Sequence, residues 1–180
     1  KYHNIHYHSI HSGDDQVETL RYAKLFFHSE SNKILSHKKN NFFINFERVL
    51  EILNNEKLDQ EKFVFSGSMT LAAIGIRAPK DIDIIHEKDF NFDLDIFNNS
   101  LLEKFGGLHS HNIHLKRYLP KFKISEFIYN PEYFFYYMGF KFIHPKILLE
   151  FKSNRYKVNS KEKDYSDIVN IKSYLKAINS

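Results

Sequence analysis

The chain has 180 residues, of which 42% are hydrophobic and 27% charged, a balance typical of one globular domain with a substantial apolar core. It contains no cysteine, so disulfides and thiolate metal sites are excluded. The net charge of +4 permits a nucleic acid or a phosphate-bearing partner, and a lysine-rich solvated surface gives the same value. No apolar run approaches the roughly 20 residues that span a bilayer and no signal segment opens the chain, so we expect a cytoplasmic protein without a membrane span.

The first 60 residues predict a mainly helical segment. Residues 1–13 are polar and rich in histidine, and they predict an irregular arm. Asp14 and Asp15 are suited to cap a helix whose apolar positions extend to Phe27. A second helix is predicted to end at Asn54 and Asn55, because a set of apolar residues before them falls at helical spacing: Phe42, Phe46, Val49, Leu50 and Leu53.

From residue 61 the pattern changes to short strands alternating with short helices. The apolar run at residues 63–65 predicts a buried strand that ends in a tight turn at Gly67 and Ser68. A short helix is predicted over residues 70–74, with Gly75 as its stop. Acids alternate with isoleucines over residues 81–85, which predicts a strand with two unlike faces. We expect this strand and the strand at residues 63–65 to be neighbours in one sheet.

The remaining elements complete an α+β pattern. A helical stripe over residues 94–105 is followed by predicted strands at residues 113–119, 122–128 and 140–143, by a helix that Pro145 opens, and by a last helix over residues 164–177. Helices lead and follow a central group of strands, so the predicted architecture is a small mixed sheet flanked by helices. We divide the chain into a helical segment, residues 1–60, and a second part, residues 61–180, read as one compact unit.

Asp81 and Asp83 are the first candidate site residues. Residues two apart on a strand point to the same face, so Ile82 and Ile84 enter the core while the two acids share the other side. Two carboxylates on one face repel unless a cation lies between them, and Mg²⁺ binds through one or two carboxylates plus substrate phosphates. By itself, an acid–apolar–acid triplet is more often a solvated strand edge.

Gly67 and Ser68 give the acids a context. A glycine lets a phosphate approach the backbone closely, and Ser68 adds a hydroxyl. The 12 residues between Ser68 and Asp81 are enough for a short helix and a return to a neighbouring strand. A phosphate-binding turn would then lie beside a metal site; the alternative is an ordinary strand–turn–helix in which Gly67 only makes the turn.

Two stretches of the chain resemble a known family. The first contains Phe65-Ser66-Gly67-Ser68, Leu71, Gly75, Arg77 and Asp81-Ile82-Asp83. It resembles the signature of the DNA polymerase beta-like nucleotidyltransferase superfamily, a Gly-Gly or Gly-Ser pair followed by a short helix and an acid–apolar–acid strand. The second contains Pro145, Leu149, Phe151-Lys152, Arg155 and Lys163-Asp164-Tyr165-Ser166-Asp167-Ile168. It is similar to the lysine helix and the basic-Asp-x-x-Asp-apolar segment of the minimal and abortive-infection type nucleotidyltransferases. The resemblance covers roughly residues 60 to 172.

The resemblance implies a nucleotidyltransferase fold and a mechanism. Asp81 and Asp83 would bind two Mg²⁺ ions that clamp a nucleoside triphosphate such as ATP and an attacking hydroxyl. Gly67 and Ser68 would hold the terminal phosphates, and Lys152 would face the same cleft and offset triphosphate charge. The family usually has a third carboxylate, an aspartate on a later strand, and Glu126 on the predicted strand 122–128 is the candidate here.

The implied function is Mg²⁺-dependent transfer of a nucleoside monophosphate from a nucleoside triphosphate to a hydroxyl of an RNA, a protein or a sugar. One alternative is a glycan phosphotransferase of the same fold. Another is a catalytically silent module that binds nucleotide or nucleic acid or serves in assembly. A Glu126 carboxylate that points at Asp81 and Asp83 would favour turnover, and one buried elsewhere would favour the silent module. We expect Asp164 and Asp167 to be structural and to hold Arg155 or a lysine in place.

Several other features have a structural and a functional interpretation. His109, His111 and His114 are expected on the surface near the site, where the first two could touch substrate. The N-terminal histidines are either solvated or metal-binding (His3, His6, His8, His11). The aromatic run 133–137 serves either for packing or for base stacking. The basic residues of the predicted strand pair are either solvated or bound to phosphates (Lys116, Arg117, Lys121, Lys123).

Overall fold

The structure is a computed structural model that describes residues 22–39, 41, 43–55, 58–90 and 108–179. Residues 22–26 are helical, and a 3₁₀ turn, Gln60–Lys62, precedes the first strand. The other elements are, in chain order, α1 (Ser29–Leu35), α2 (Ile44–Asn55), β1 (Phe63–Phe65), α3 (Gly67–Ala73), β2 (Ile82–His86), β3 (Leu108–Ser110), α4 (Asn112–Tyr118), α5 (Ile124–Tyr129), β4 (Phe134–Tyr137), β5 (Phe140–Ile143), α6 (Pro145–Asn159) and α7 (Glu162–Ala177).

The strands form one mixed, open sheet in the order β3-β2-β1-β5-β4. Strand β1 pairs antiparallel with β2 and parallel with β5, while β2 and β3 are parallel and β4 and β5 antiparallel. The predicted α+β class and mixed sheet are confirmed. Phe65 pairs with Ile84, so the expected neighbourhood of β1 and β2 is confirmed as well. Because these two strands run in opposite directions, the turn after β1 lies beside the start of β2.

Aromatic rings fill the core behind β1 and β5. The ring of Phe142 lies 5.1 Å from that of Phe65 and 5.7 Å from that of Phe135, both centroid to centroid. Phe134 and Phe135 are buried, so the packing interpretation of the aromatic run is confirmed for these two residues. The apolar side chains of these short strands are buried against the faces of the sheet.

The first 60 residues contribute to the same core. Ile34 of α1 is fully buried, as are Val49 and Leu50 of α2, and they belong to one hydrophobic cluster with the strands. The ring of Phe46 stacks on Tyr137 at 6.2 Å and meets Phe142 edge-on at 6.1 Å. Helix α2 ends at Asn55, as the paired asparagines predict. Asp14, Asp15, Phe42 and the histidine-rich arm lie outside the described residues.

Two predicted strands are wrong. Residues 113–119 and 122–128 are largely helical, in α4 and α5. In α4 the buried positions Leu115 and Tyr118 are three apart, which is helical spacing, while Ile113 is 78% exposed. The alternation of residues 113 and 115 misled the strand assignment, since short apolar runs do not separate the two periods. The predicted helical stripe over residues 94–105 lies outside the described residues.

Helix boundaries around the candidate turn follow from backbone chemistry. Helix α3 begins at Gly67, three residues before the predicted start, with Ser66 as its N-cap residue. Gly75 follows it with φ +75°, which confirms its role as the stop. Pro145 occupies the first turn of α6, where its missing N–H costs no hydrogen bond, as predicted. Among the described residues no helix is long and apolar enough to cross a bilayer.

The shared core leads to a stability prediction. Replacing Phe46 by alanine empties the space between Tyr137 and Phe142, and we expect it to lower the free energy of unfolding by about 3–5 kcal/mol. Chemical denaturation followed by circular dichroism should still show one cooperative transition. The control is Phe27→Ala, whose side chain is 90% exposed and should change stability by about 0.5 kcal/mol or less. Two separate transitions in the wild type would instead mean that the first 60 residues fold independently.

Candidate functional site

The start of α3 is built against the carboxylate of Asp83. Ser66 is extended, with φ −135° and ψ −169°, and the next residue, Gly67, turns into the helix with φ +58°. A Cβ atom at Gly67 would lie 2.0 Å from Asp83 Oδ2. Both the left-handed backbone and this close approach require glycine. The predicted turn therefore brings backbone atoms directly onto the acid strand.

Asp83 is a buried, ionised carboxylate. Its side chain is 9% exposed, and its Oδ1 lies 2.9 Å from Nε2 of His111. Burial raises the pKa of Asp83, but the hydrogen bond and charge of His111 lower it, with smaller help from His109 and the Ser68 backbone N–H, so that the pKa falls below its ordinary value. Stabilising neighbours thus outweigh both burial and the repulsion expected between the paired acids.

Asp81 lies just before β2 and is partly exposed. The Ser68 hydroxyl donates to Oδ1 of Asp81 at 2.8 Å, while the neighbouring Gly67 lies directly against Oδ2 of Asp83. The turn therefore touches both acids. We call Gly67, Ser68, Asp81 and Asp83 the Ser68 cluster; its assembly confirms the prediction that the turn and the acids are adjacent.

His111 is the residue of this site whose environment the sequence did not indicate. It is 7% exposed, so the expectation of a surface position is wrong for His111, whereas His109 and His114 are exposed. Its Nε2 lies 2.9 Å from Oδ1 of Asp83, and its Nδ1 lies 2.7 Å from the Ser66 hydroxyl. Its ring also stacks on Phe151 at 5.8 Å. His111 immediately precedes α4. Because residues 113–119 were predicted to be a strand, the sequence did not indicate that His111 lies at the start of a helix and beside Asp83.

The chain of bonds from Ser66 through His111 to Asp83 has the connectivity of a nucleophile, a base and an acid. Ser66 is only 3% exposed, however, and it lies at the N-cap position of α3. A nucleophile needs contact with its substrate, so this chain supports Asp83 and does not itself form a hydrolytic site.

Glu126 is not placed as predicted. It lies on α5, and its Oε2 accepts from the backbone N–H of Lys123 at 2.6 Å, which closes a capping box. The first residues of α5, Ile124 and Ser125, border a cavity of about 500 Å³ with residues 86–89, beyond the end of β2 that is opposite to Asp81. Its predicted strand is therefore wrong, and within the described residues it belongs to no group of three acids that could hold a metal ion. Its role as the third carboxylate stays a prediction.

Lys152 is buried between helices α6 and α7. Its side chain is 2% exposed, with Nζ 2.7 Å from Asp167 Oδ2 and 3.4 Å from Asp164 Oδ1. Burial lowers the pKa of Lys152, and Asp167 opposes this. The resemblance implied that Lys152 faces the cleft of Asp81. Its ammonium group is instead paired inside the α6–α7 interface.

Two arginines extend this pair into a network. Arg77, which follows α3, donates to Asp167 from Nε at 2.7 Å and from Nη2 at 3.0 Å. Arg155 donates to Asp164 from Nε at 2.8 Å and from Nη2. The prediction that Asp164 and Asp167 hold Arg155 or a lysine in place is confirmed. The network ties the segment after α3 to both C-terminal helices.

The Ser68 cluster suits one divalent cation better than two. Asp81 and Asp83 offer hard oxygen ligands, which fit a Mg²⁺ ion that takes its remaining ligands from phosphates and water. In the described part of the chain, no group of three or more histidine, aspartate or glutamate side chains is arranged to hold a metal ion alone. Since Glu126 belongs to no such group, these residues do not show an arrangement of two ions bridged by a third carboxylate.

Comparisons of the chain with protein-family models, with curated proteins and with solved structures found no match. The geometry of the Ser68 cluster is therefore the basis for a function.

The support of Asp83 can be tested with two amides. Glutamine at position 111 can present its side-chain N–H near the place of Nε2, whereas asparagine reaches only as far as Nδ1, and both lose the stacking on Phe151. We expect His111→Asn to be about 1–3 kcal/mol less stable than His111→Gln, because the buried Asp83 loses its donor. Urea denaturation of the two variants measures the difference. Equal stabilities would mean that the contact between His111 and Asp83 is energetically unimportant.

The buried network predicts acid sensitivity. Burial raises the pKa of Asp167, but Arg77 and Lys152 lower it below its ordinary value of 3.8, and for Asp164 burial is likewise outweighed, by Arg155 and Lys152. A carboxyl whose folded pKa is depressed stabilises the fold above its unfolded pKa and loses that contribution as the pH falls through the folded value. Asp167→Asn should cost about 3–5 kcal/mol at neutral pH, because two buried cations lose a partner.

The measurement for the network is denaturation of wild type and Asp167→Asn across pH. The difference in unfolding free energy should be constant from about pH 7 to 5 and shrink below about pH 4. Glu162→Gln, an exposed acid of the same helix, serves as control and should change stability by about 0.5 kcal/mol or less. A difference that does not change with pH would show that ion pairing is not its cause.

Proposed function

We propose that the chain is a Mg²⁺-dependent nucleotidyltransferase of the DNA polymerase beta-like type, which moves a nucleoside monophosphate from a nucleoside triphosphate to a hydroxyl. The observation that supports this best is the contact of the turn with both acids, through the Ser68 hydroxyl to Asp81 at 2.8 Å and through the close approach of Gly67 to Oδ2 of Asp83. A phosphate-binding turn and a pair of metal-binding carboxylates are the two parts that phosphoryl transfer requires most.

Each residue of the Ser68 cluster would have a distinct part. Gly67 has no side chain between the backbone and the acids, so phosphate oxygens can approach there. Asp83 is kept ionised by His111 and would bind a cation without first losing a proton. Asp81 is the more exposed acid and would meet the metal on the solvent side. Mg²⁺, when bound, would neutralise phosphate charge and polarise the phosphoryl group.

RNA, a protein side chain and a sugar remain the candidate acceptors. The net charge of +4 suits a polyanionic acceptor as well as the triphosphate itself. Because Mg²⁺ and nucleoside triphosphates are cytoplasmic reagents, we place the reaction in the cytoplasm.

A second candidate function is supported by a specific observation. Glu126 caps α5 away from the acids, and Lys152 is buried in ion pairs. A domain that binds Mg²⁺ and a triphosphate but does not transfer the nucleotide would need neither residue at the cleft. In that case the Ser68 cluster would be a nucleotide-binding site of a regulatory or assembly module.

The test of metal and triphosphate binding uses Asp81→Asn. Asparagine keeps an oxygen that accepts from the Ser68 hydroxyl, so the fold should be retained while the charge is lost. With Mg²⁺ and triphosphate at about 100 times the dissociation constant, the wild type should gain about 2.7 kcal/mol in stability, and the variant should gain far less. The control is Asp89→Asn, an exposed acid in the turn after β2, which should respond as the wild type does.

Transfer is measured on the same proteins with each labelled triphosphate, Mg²⁺ and a mixture of RNA, protein and glycan acceptors. An acceptor that carries the nucleoside monophosphate in the wild type and none with Asp81→Asn would support the transferase, and a glycan that gains a phosphoryl group without the nucleoside would support the glycan phosphotransferase alternative. Stabilisation by ligand without any labelled acceptor would favour the silent module. Equal stabilisation of wild type and Asp81→Asn would remove Asp81 as a ligand.

A further inference from the structure

We propose that Arg155 is the side chain that binds the triphosphate phosphates beside the Ser68 cluster, in the place that the sequence assigns to Lys152. This inference rests on the proposed function, because it names a substrate contact of the same site. It concerns binding of phosphate groups and involves no further chemical step.

Lys152 is excluded from that contact by its surroundings. Only 2% of its side chain is exposed, and its ammonium group is 2.7 Å from Asp167. To reach a ligand it would have to break its buried ion pairs with both Asp167 and Asp164, which costs several kcal/mol. The expected cation must therefore come from another residue.

Arg155 follows Lys152 by three positions on α6, and 22% of its side chain is exposed. Its Nε and Nη2 face Asp164. Within the described residues, the third guanidinium nitrogen, Nη1, has no hydrogen-bond partner. Asp164 thus fixes the guanidinium group from one edge and leaves a charged N–H edge for a ligand, which is the geometry that suits phosphate oxygens.

A short path of contacts connects this guanidinium group to the acids. It lies 5.3 Å from the centroid of the Phe151 ring, on which the His111 ring stacks, and His111 bonds to Asp83. Burial lowers the pKa of Arg155, but Asp164 chiefly, and Asp83 in addition, raise it above its ordinary value. The charges of Arg155 and Asp83 are therefore close enough to act on each other.

The charge of the network leaves room for an anion. Three cations, Arg77, Lys152 and Arg155, share the two carboxylates of Asp164 and Asp167, so the network retains one positive charge. Arg77 is less available to a ligand, because its Nη1 donates to the carbonyl of Ala78 and its other two nitrogens donate to Asp167. The available donor edge is that of Arg155.

The experiment compares Arg155→Gln with a matched control, Arg77→Gln. Both variants remove an arginine that is paired with a buried aspartate of α7, so both should lose stability. Titration calorimetry with Mg²⁺ and ATP, and with Mg²⁺ and inorganic triphosphate, gives the dissociation constants. We expect Arg155→Gln to weaken both ligands about ten- to a hundredfold, which is the effect of a lost charge-assisted bond, and Arg77→Gln to leave both within about twofold.

Chemical modification of the wild type gives a second measurement that does not depend on a variant folding. Phenylglyoxal modifies exposed arginines, and mass spectrometry reports each position. Mg²⁺ with ATP should protect Arg155 and leave Arg48, an exposed arginine of α2, modified as before.

Unchanged affinity in folded Arg155→Gln, or equal modification of Arg155 with and without ligand, would overturn the inference while the proposed function stands. A wild type that binds neither Mg²⁺-ATP nor Mg²⁺-triphosphate would overturn both.

Discussion

The burial of a charged Asp83 is the constraint on which the rest of this site depends. A carboxylate on a side chain that is 9% exposed is stable only if donors reach it, and here His111 does so at 2.9 Å. The first turn of α3 can approach this carboxylate closely because Gly67 has no Cβ atom. The strand end, the first turn of α3 and the residue before α4 are thereby fixed around one carboxylate, and the acids are oriented before any ligand arrives.

A second set of buried charges fixes the C-terminal helices to the same region. Asp164 and Asp167 of α7 are nearly inaccessible, and each is matched by cations from α6 or from the segment after α3. Such pairs add little net stability compared with apolar packing, but they are costly to break and they define one arrangement of the helices. The position of Arg155 relative to Asp83 follows from that arrangement, with Phe151 between them.

The sequence predicted the parts of the fold in which local chemistry and tertiary packing agree. The buried run of β1, the stop at Gly75 and the start of α6 at Pro145 each have one dominant local cause, and the structure has them at or near the predicted places. The segments at α4 and α5 were mistaken for strands because their apolar residues suit both periods, and their helical state depends on which side is buried against β2. Glu126 was misplaced for the same reason. The contact between His111 and Asp83 depends on α4 and on the parallel pairing of β2 with β3, neither of which a single sequence specifies.

The register of β1 against β2 has a consequence for how the site arises. Phe65 pairs with Ile84, and the backbone N–H of Ser66 donates to the Asp83 carbonyl at 2.8 Å. A slip of one residue would exchange the two faces of β2, so Ile82 and Ile84 would lose their places in the core and Asp83 would lose its contact with His111. Correct packing and a correctly assembled cluster are therefore a single event during folding. A chain whose core has packed in the correct register has therefore also assembled the Ser68 cluster.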